Sequence, residues 1–292
     1  MVHYHECPVC GNKAVVKFLQ VTDHSASKKI FEVWRCPGCT LCFTQDAPGQ
    51  NEIGPYYQFE DYISHTDTKK GLVNRLYHFV RGITLNSKKR IVEKAAGIKN
   101  GHLLDIGSGT GAFLNKMQQN GWQVTGLEPD ETARKKCLEN HGITAQPPEN
   151  LFSLPDASFD AITLWHVLEH VHQLQEYIQK IKTLLKPGGA LIIAVPNYTS
   201  HDAQVYQQYW AAWDVPRHLY HFSPKAMDAL LSAHGLTVQQ IKPMWFDSFY
   251  VSMLSEKYRK GNIVRAFFTG LGSNMKALGD KKKCSSVIYI AK

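Results

Sequence analysis

The stretch whose reading decides the fold is Leu103-Leu104-Asp105-Ile106-Gly107-Ser108-Gly109-Thr110-Gly111. A short apolar strand passes into a glycine-rich turn, and a helix follows from Ala112 to about Asn120, closed by Gly121. The glycines leave room for a ligand against the backbone at the carboxyl end of a strand, where doubly wound sheets bind their ligands. The spacing is Gly-x-Gly-x-Gly, not the Gly-x-Gly-x-x-Gly of dinucleotide folds. Asp105 precedes the first glycine by two positions. A diphosphate would be repelled by that carboxylate, whereas a cationic ligand would be attracted.

Working outward, a second strand runs from Gln123 to Leu127 and ends in Glu128-Pro129-Asp130. An acid at the tip of a second strand can accept hydrogen bonds from both hydroxyls of a ribose, the logic of a nucleoside pocket. Asp105, Gly107, Gly109, Gly111 and Glu128 together resemble the class I S-adenosylmethionine-dependent methyltransferases, over roughly residues 90–292. The resemblance implies an α/β fold with a seven-stranded, doubly wound, Rossmann-like sheet. It also implies S-adenosylmethionine as cofactor, held by Asp105, Gly107, Ser108, Gly109, Gly111, Glu128 and Pro129.

Later segments keep to the same plan. A helix from Asp130 to His141 is capped by Asp130 and stopped by Gly142, and a third strand is expected at Ile143–Gln146. In the family the loop after that strand touches the adenine. Here the usual acid is missing, and Asn150 and Leu151, with Glu149, are the candidates. The fourth strand, Phe159–Trp165, runs into His166-Val167-Leu168-Glu169-His170-Val171. Residues at this lip border the cofactor in relatives, which adds Trp165 and His166 to the cofactor set. Taken alone, His166-x-x-Glu169-His170 matches a helical zinc-protease motif, but its place beside a nucleotide-type sheet argues against that.

A helix (Gln173–Leu185), a Lys186-Pro187-Gly188-Gly189 breaker and a fifth strand (Ala190–Val195) come next. The long connection that follows holds Trp210 and Trp213-Asp214-Val215-Pro216-Arg217-His218-Leu219-Tyr220-His221, and then Ser223-Pro224 opens another helix. Such a density of Trp, Arg, His and Tyr at the ligand edge suggests more than a connector. In relatives this connection borders the substrate, so Trp213 and Arg217 are expected there. A sixth strand (Thr237–Pro243), a helical pair and a seventh strand (Val287–Ile290) complete the methyltransferase domain, 99–292.

Upstream, the cysteines are ordered. Cys7 and Cys10 form one Cys-x-x-Cys knuckle, Cys36 and Cys39 a second, and strands are expected at Val15–Gln20 and Phe31–Arg35. Four thiolates from two knuckles suit tetrahedral Zn²⁺. This N-terminal module, residues 1–45, resembles a zinc ribbon; Cys42 could compete with Cys39 for the metal. Residues 46–98 read as a connector or lid, with Tyr56, Tyr57 and Tyr62 expected over the acceptor. Basic residues on its helices, Lys88 among them, read as a solvated face.

Composition bounds these readings. The 292 residues are 43% hydrophobic and 20% charged, which argues against a mainly disordered chain. The longest purely aliphatic run, Ala190–Val195, is far short of the about 20 residues a membrane span needs. No apolar core follows the N-terminus, and seven cysteines do not suit a secreted disulfide framework, so a cytoplasmic location is expected.

Methyl transfer from a sulfonium needs in-line alignment, exclusion of water and, for a hydroxyl acceptor, a base. His166, His170, His218 and His221 are the candidates for that role. The place after the fourth strand lacks the Asp/Asn-Pro-Pro-Tyr of enzymes acting on base amino groups, and no cysteine nucleophile stands there. Three readings stay open. The first is a methyltransferase acting on a small molecule such as a sugar, secondary metabolite or lipid-linked intermediate. The second is an RNA methyltransferase whose ribbon grips nucleic acid, for which the net charge of +8 speaks. The third is a non-catalytic cofactor sensor. The sequence leaves the oligomeric state open.

Overall fold

The computed structural model describes the backbone of residues 1–57 and 72–292, and the side chains of the same residues except 72–81. In chain order the first strands are β1 (Val16–Thr22), β2 (Ile30–Arg35) and β3 (Cys42–Thr44). They are followed by α1 (Leu72–Ala96), β4 (His102–Ile106), α2 (Ala112–Gln118), β5 (Gln123–Leu127), α3 (Glu131–His141) and β6 (Phe159–Trp165). Next come α4 (Leu174–Leu184), β7 (Leu185–Pro196), α5 (His201–Tyr206), β8 (Tyr220–His221) and α6 (Pro224–Ala233). The chain closes with β9 (Val238–Pro243), α7 (Asp247–Tyr258), α8 (Ile263–Gly279) and β10 (Ser286–Ala291).

Six strands form the main sheet in the order β5-β4-β6-β7-β10-β9. The order reverses at β4, which pairs in parallel with both β5 and β6. That reversal is the switch point where doubly wound sheets open a crevice. The third strand expected at Ile143–Gln146 shrinks to one parallel bridge, Gln146 to Leu127. Pro147 and Pro148 follow at once, and with no N–H to donate they end the ladder. The Lys186-Pro187-Gly188-Gly189 breaker lies inside the start of β7 rather than ahead of it.

By contacts the described chain divides into two compact units. One holds residues 72–165, 179–193 and 290–292. Here Leu103, Leu104 and Ile106 of β4 and Ala161, Ile162 and Leu164 of β6 are buried, as expected of strands covered on both faces. Leu114, Cys137, Ile143 and Ala145 pack together beneath the glycine turn. The helix caps are those expected: Asp130 accepts from the Ala133 N–H at 2.8 Å, and Gly142 closes α3 in the left-handed region.

The other unit gathers residues 1–57 with 166–178 and 194–289. β1, β2 and β3 form an antiparallel sheet, and β8 extends it: Cys42 pairs with His221 and Phe43 with Tyr220. Val21, Val33 and Cys42 share one core with Trp210, Trp213 and Val215. The ribbon therefore buries apolar surface against the Trp-rich connection, and its stability does not rest on metal alone. No helix among the described residues is long and apolar enough to cross a membrane.

Candidate active site

The crevice at β4 is built from residues that pairing register places side by side. Asp105 pairs with Thr163 across β4 and β6, and its carboxylate accepts the Thr163 hydroxyl at 2.6 Å. Asp105 is 2% exposed. Burial pushes its carboxyl up to about 7, although the Thr163 bond and the nearby Lys88 charge both pull the other way. A carboxylate confined like this is poised for a cation.

The turn after β4 needs its glycines for backbone reasons. Gly107, Gly109 and Gly111 have φ of 74°, 55° and 79°, a region costly for any residue with a Cβ. At Gly111 a Cβ would also lie 2.2 Å from the Cys137 Sγ of α3. The Gly109 N–H donates to one Glu128 carboxylate oxygen at 2.8 Å, and the Asp130 N–H to the other at 3.0 Å. Burial raises the Glu128 pKa against the pull of these bonds. Arg134 pins the strand tip from behind, donating to the carbonyls of Glu128 at 2.7 Å and Pro129 at 2.8 Å.

Trp165, at the end of β6, meets Phe113 edge-on at 5.8 Å, and the Lys88 Nζ lies 4.4 Å from its ring centre. Lys88 is therefore drawn to an aromatic face and an acid instead of lying on the solvated face expected of it. Asn150 donates to the Gln146 side chain at 3.0 Å, and Leu151 is fully buried in the 3-10 helix Pro148–Ser153. The Ser108 hydroxyl and the Trp165 indole N–H are buried without a hydrogen-bond partner among the described residues. Two acids, open glycine backbone and two orphaned polar groups fit a ligand with a positive charge and a ribose, as S-adenosylmethionine has.

The histidines fall into two settings. His166 follows Trp165 in the chain and is held between Asp247 at 2.9 Å and Glu169 at 3.5 Å. Burial opposes its charge, but Asp247 outweighs burial and raises the pKa to about 10. With that charge His166 acts as a hydrogen-bond donor. His218 and His221 are buried, and His170 is half-buried. His170 contacts the Arg217 carbonyl at 3.0 Å and the Tyr57 hydroxyl at 3.1 Å. Burial and the neighbouring His218 lower its pKa to about 4. His221 is 3% exposed, contacts the Thr44 hydroxyl at 3.1 Å and packs on Trp213, and burial holds it well below the ordinary histidine value.

The two residues of the connection expected to touch substrate are internal as well. Trp213 belongs to the core and donates to the Gln207 carbonyl at 2.7 Å. Arg217 is 2% exposed, ion-paired with Asp214 and bonded to the Tyr56 carbonyl at 2.9 Å. Both hold the connection in shape. Tyr56 rests edge-on against Phe31 at 6.2 Å, and Tyr62 lies outside the described residues.

Cys7, Cys10, Cys36 and Cys39 form one group, and Cys42 stands apart in β3. The Sγ separations are 3.4 Å for Cys7–Cys39 and 3.5 Å for Cys10–Cys36. A zinc ion about 2.3 Å from each of four sulfurs sets them about 3.8 Å apart, so the set fits tetrahedral Zn²⁺.

Several residues of these sites carried no sequence signal. Thr163 looks like any β-branched strand residue, and Arg134 and Lys88 like helix-surface charges. Asp247 and Asp214 reach their partners only through tertiary folding.

The strand order, the glycine turn and the acid at the second strand tip define a nucleoside-cofactor fold of the methyltransferase kind. A family profile described as "Methyltransferase domain" matches residues 78–241, and the chain belongs to this family, within the class I S-adenosylmethionine-dependent methyltransferases. The chain is 32% identical over 147 residues to the ubiquinone biosynthesis O-methyltransferase of Vibrio cholerae serotype O1, covering 48% of this chain and 58% of that one. To the demethylmenaquinone methyltransferase of Tropheryma whipplei it is 28% identical over 134 residues, covering 44% and 56%. The chain thus spans little more than half the length of these curated relatives. A crystal structure of an S-adenosylmethionine-dependent methyltransferase from Archaeoglobus fulgidus superposes with a TM-score of 0.50 at 20% identity, over 73% of this chain and 94% of that one, and shares the fold.

Proposed function

We propose that this protein transfers the methyl group of S-adenosylmethionine to a small-molecule acceptor that carries an ionisable hydroxyl, of the phenol or hydroquinone class. The observation that carries the reading is the cradle in which Asp105 stands in register with Thr163 while Glu128 is fastened to the Gly109 and Asp130 N–H groups. The two quinone-pathway relatives support the acceptor class. When bound, the cofactor supplies an electrophilic methyl with a neutral leaving group. Asp105 receives the cationic amino-acid end, Glu128 the ribose hydroxyls, and the turn backbone lets the ligand approach closely. Asn150 and the Leu151 backbone border the adenine. The acceptor enters as its phenolate, its hydroxyl proton having passed to water. His166, oriented by Asp247, donates to that oxygen and positions it, and alignment of the two reactants contributes most of the acceleration. The four ribbon cysteines hold Zn²⁺ in a structural role. The protein acts in the cytoplasm.

The test is transfer of labelled methyl to a panel of catechols, hydroquinones, sugars and bulk RNA. Transfer confined to the phenolic class is expected, with Glu128→Ala losing cofactor binding by calorimetry. Labelling of RNA or of sugars alone would overturn the acceptor class. Undiminished cofactor affinity in Glu128→Ala would overturn the cradle.

A further inference from the structure

A second group of metal-ligating side chains lies apart from the cysteines. One carboxylate oxygen of Glu169 and one ring nitrogen each of His170 and His218 lie within 4.8 Å of one another. The backbone brings them together: the Leu219 N–H donates to the Glu169 carbonyl at 2.8 Å, which fastens the 3-10 turn Leu168–His170 to the segment carrying His218.

Two observations separate this group from a casual cluster. Glu169 is 1% exposed, and neither carboxylate oxygen has a hydrogen-bond partner among the described residues; the nearest ionic neighbour is the His166 Nδ1 at 3.5 Å. A buried carboxylate with unfilled acceptor sites is costly unless a cation or donor answers it. His166 faces one oxygen from beyond hydrogen-bond reach and is held closer by Asp247 at 2.9 Å, and the His170 and His218 Nδ1 atoms point to carbonyls. The His170 Nδ1 is 3.0 Å from the Arg217 carbonyl, and the His218 Nδ1 is 2.9 Å from the Ala212 carbonyl. A carbonyl only accepts, so each Nδ1 carries a ring proton, and Nε2 is the nitrogen each ring has left to offer a metal. The other group beside the His218 Nε2 is the Asp214 carboxylate, 3.8 Å away and itself held by Arg217. One ring nitrogen of each histidine and a Glu169 oxygen thus share one small space. Each imidazole also has its remote N–H fastened to a backbone carbonyl, the outer bonding that orients ligating histidines.

We propose that Glu169, His170 and His218 bind a divalent first-row transition ion of the zinc type, at a site distinct from the four cysteines. Two neutral imidazoles and one carboxylate are the donor set that borderline ions prefer. Three atoms no more than 4.8 Å apart lie at most about 2.8 Å from a common centre, so reaching the bond length of about 2.1 Å needs each to close by about 0.7 Å at most. The ion answers the Glu169 carboxylate and staples the 3-10 turn to the Asp214–His218 segment.

The full chain, stripped with chelator and reloaded with Zn²⁺ or Co²⁺, tests the assignment by metal stoichiometry. Two ions per chain are expected. Glu169→Gln and, separately, His218→Asn drop the count to one and keep the thiolate-to-cobalt absorption of the cysteine site, whereas Cys36→Ser does the converse. A readout that needs no variant is the proton spectrum of the Co²⁺-loaded wild type, in which two exchangeable, strongly shifted imidazole N–H signals arise only from histidine ligands. One ion per chain, two ions retained in both Glu169→Gln and His218→Asn, or the absence of shifted imidazole signals would each overturn the site.

Discussion

Replacing Asp105 by Asn should stabilise the protein without cofactor while weakening cofactor binding. The carboxyl is raised from 3.8 to about 7 by burial, so between those values the folded state holds a proton that the unfolded state has released. Stability therefore falls as the pH rises across that window and levels off above about 7. At pH 8 the ionised carboxylate costs the fold about 4 kcal/mol, and at pH 5 about 1.6 kcal/mol. Asn has costs of its own, since its amide N–H groups need partners, but these are the same at both pH values. The advantage of Asp105→Asn over wild type should thus be about 2.5 kcal/mol larger at pH 8 than at pH 5, or roughly 5–10 °C in melting temperature. Differential scanning calorimetry of the cofactor-free proteins at the two pH values measures this. Isothermal titration of S-adenosylmethionine should show a loss of about 10- to 100-fold, the worth of a hydrogen bond to a charged group. A pH-independent difference in stability would refute the buried-carboxylate argument, and unchanged affinity would refute its role as the cation's partner.

Other consequences can be checked in parallel. Lys88→Met removes a positive charge that lowers the Asp105 pKa, so the pH at which cofactor affinity is half lost should move upward; an unmoved profile would exclude that coupling. Gly111→Ala puts a methyl where the Cys137 Sγ stands, on a backbone with φ of 79°, and should cost about 2–4 kcal/mol in urea unfolding. Gly111→Ala combined with Cys137→Ala should recover the steric part, and a purely additive pair would contradict the contact. Asp202 is buried and accepts from Trp210 at 2.7 Å, Ser273 at 2.6 Å and Ser285 at 2.7 Å. Asp202→Ala strands three donors and should cost about 3–5 kcal/mol, and a loss below about 1 kcal/mol would show that the network relaxes.

The sheet and the cofactor cradle were legible because each depends on short-range signals. Glycines at Gly107, Gly109 and Gly111 declare a backbone that other residues resist, and an acid at a strand tip is readable once the strand is. The third strand was over-read. Its apolar residues are real, but Pro147-Pro148 cuts the ladder after one bridge. The connection from Trp210 to His221 was legible as special, but its internal partners were not. Its polar side chains, Arg217 and His221 above all, turn inward to partners such as Asp214 and Thr44 that the local sequence does not reveal. Cys42 shows the same limit: its spacing from Cys39 left open whether it was a bystander or a competing ligand, and tertiary packing placed it in β3.

The pairing of β3 with β8 also bears on the order in which the molecule is assembled. Cys42 finds its strand partner at His221, so the sheet begun at β1 is finished only once β8, far downstream, has been synthesised. Until then the edge of β3 has exposed N–H and C=O groups that could pair with another chain. During those seconds the knuckle cysteines and the β1–β2 pair can close, since all of them lie upstream of β3. Metal uptake by the nascent chain would hold β1 and β2 in register and keep the unfinished edge from wrong partners until Tyr220 and His221 arrive. A cell short of zinc should then show this protein's deficit as lost yield of folded chain, before any change in the specific activity of the molecules that do fold.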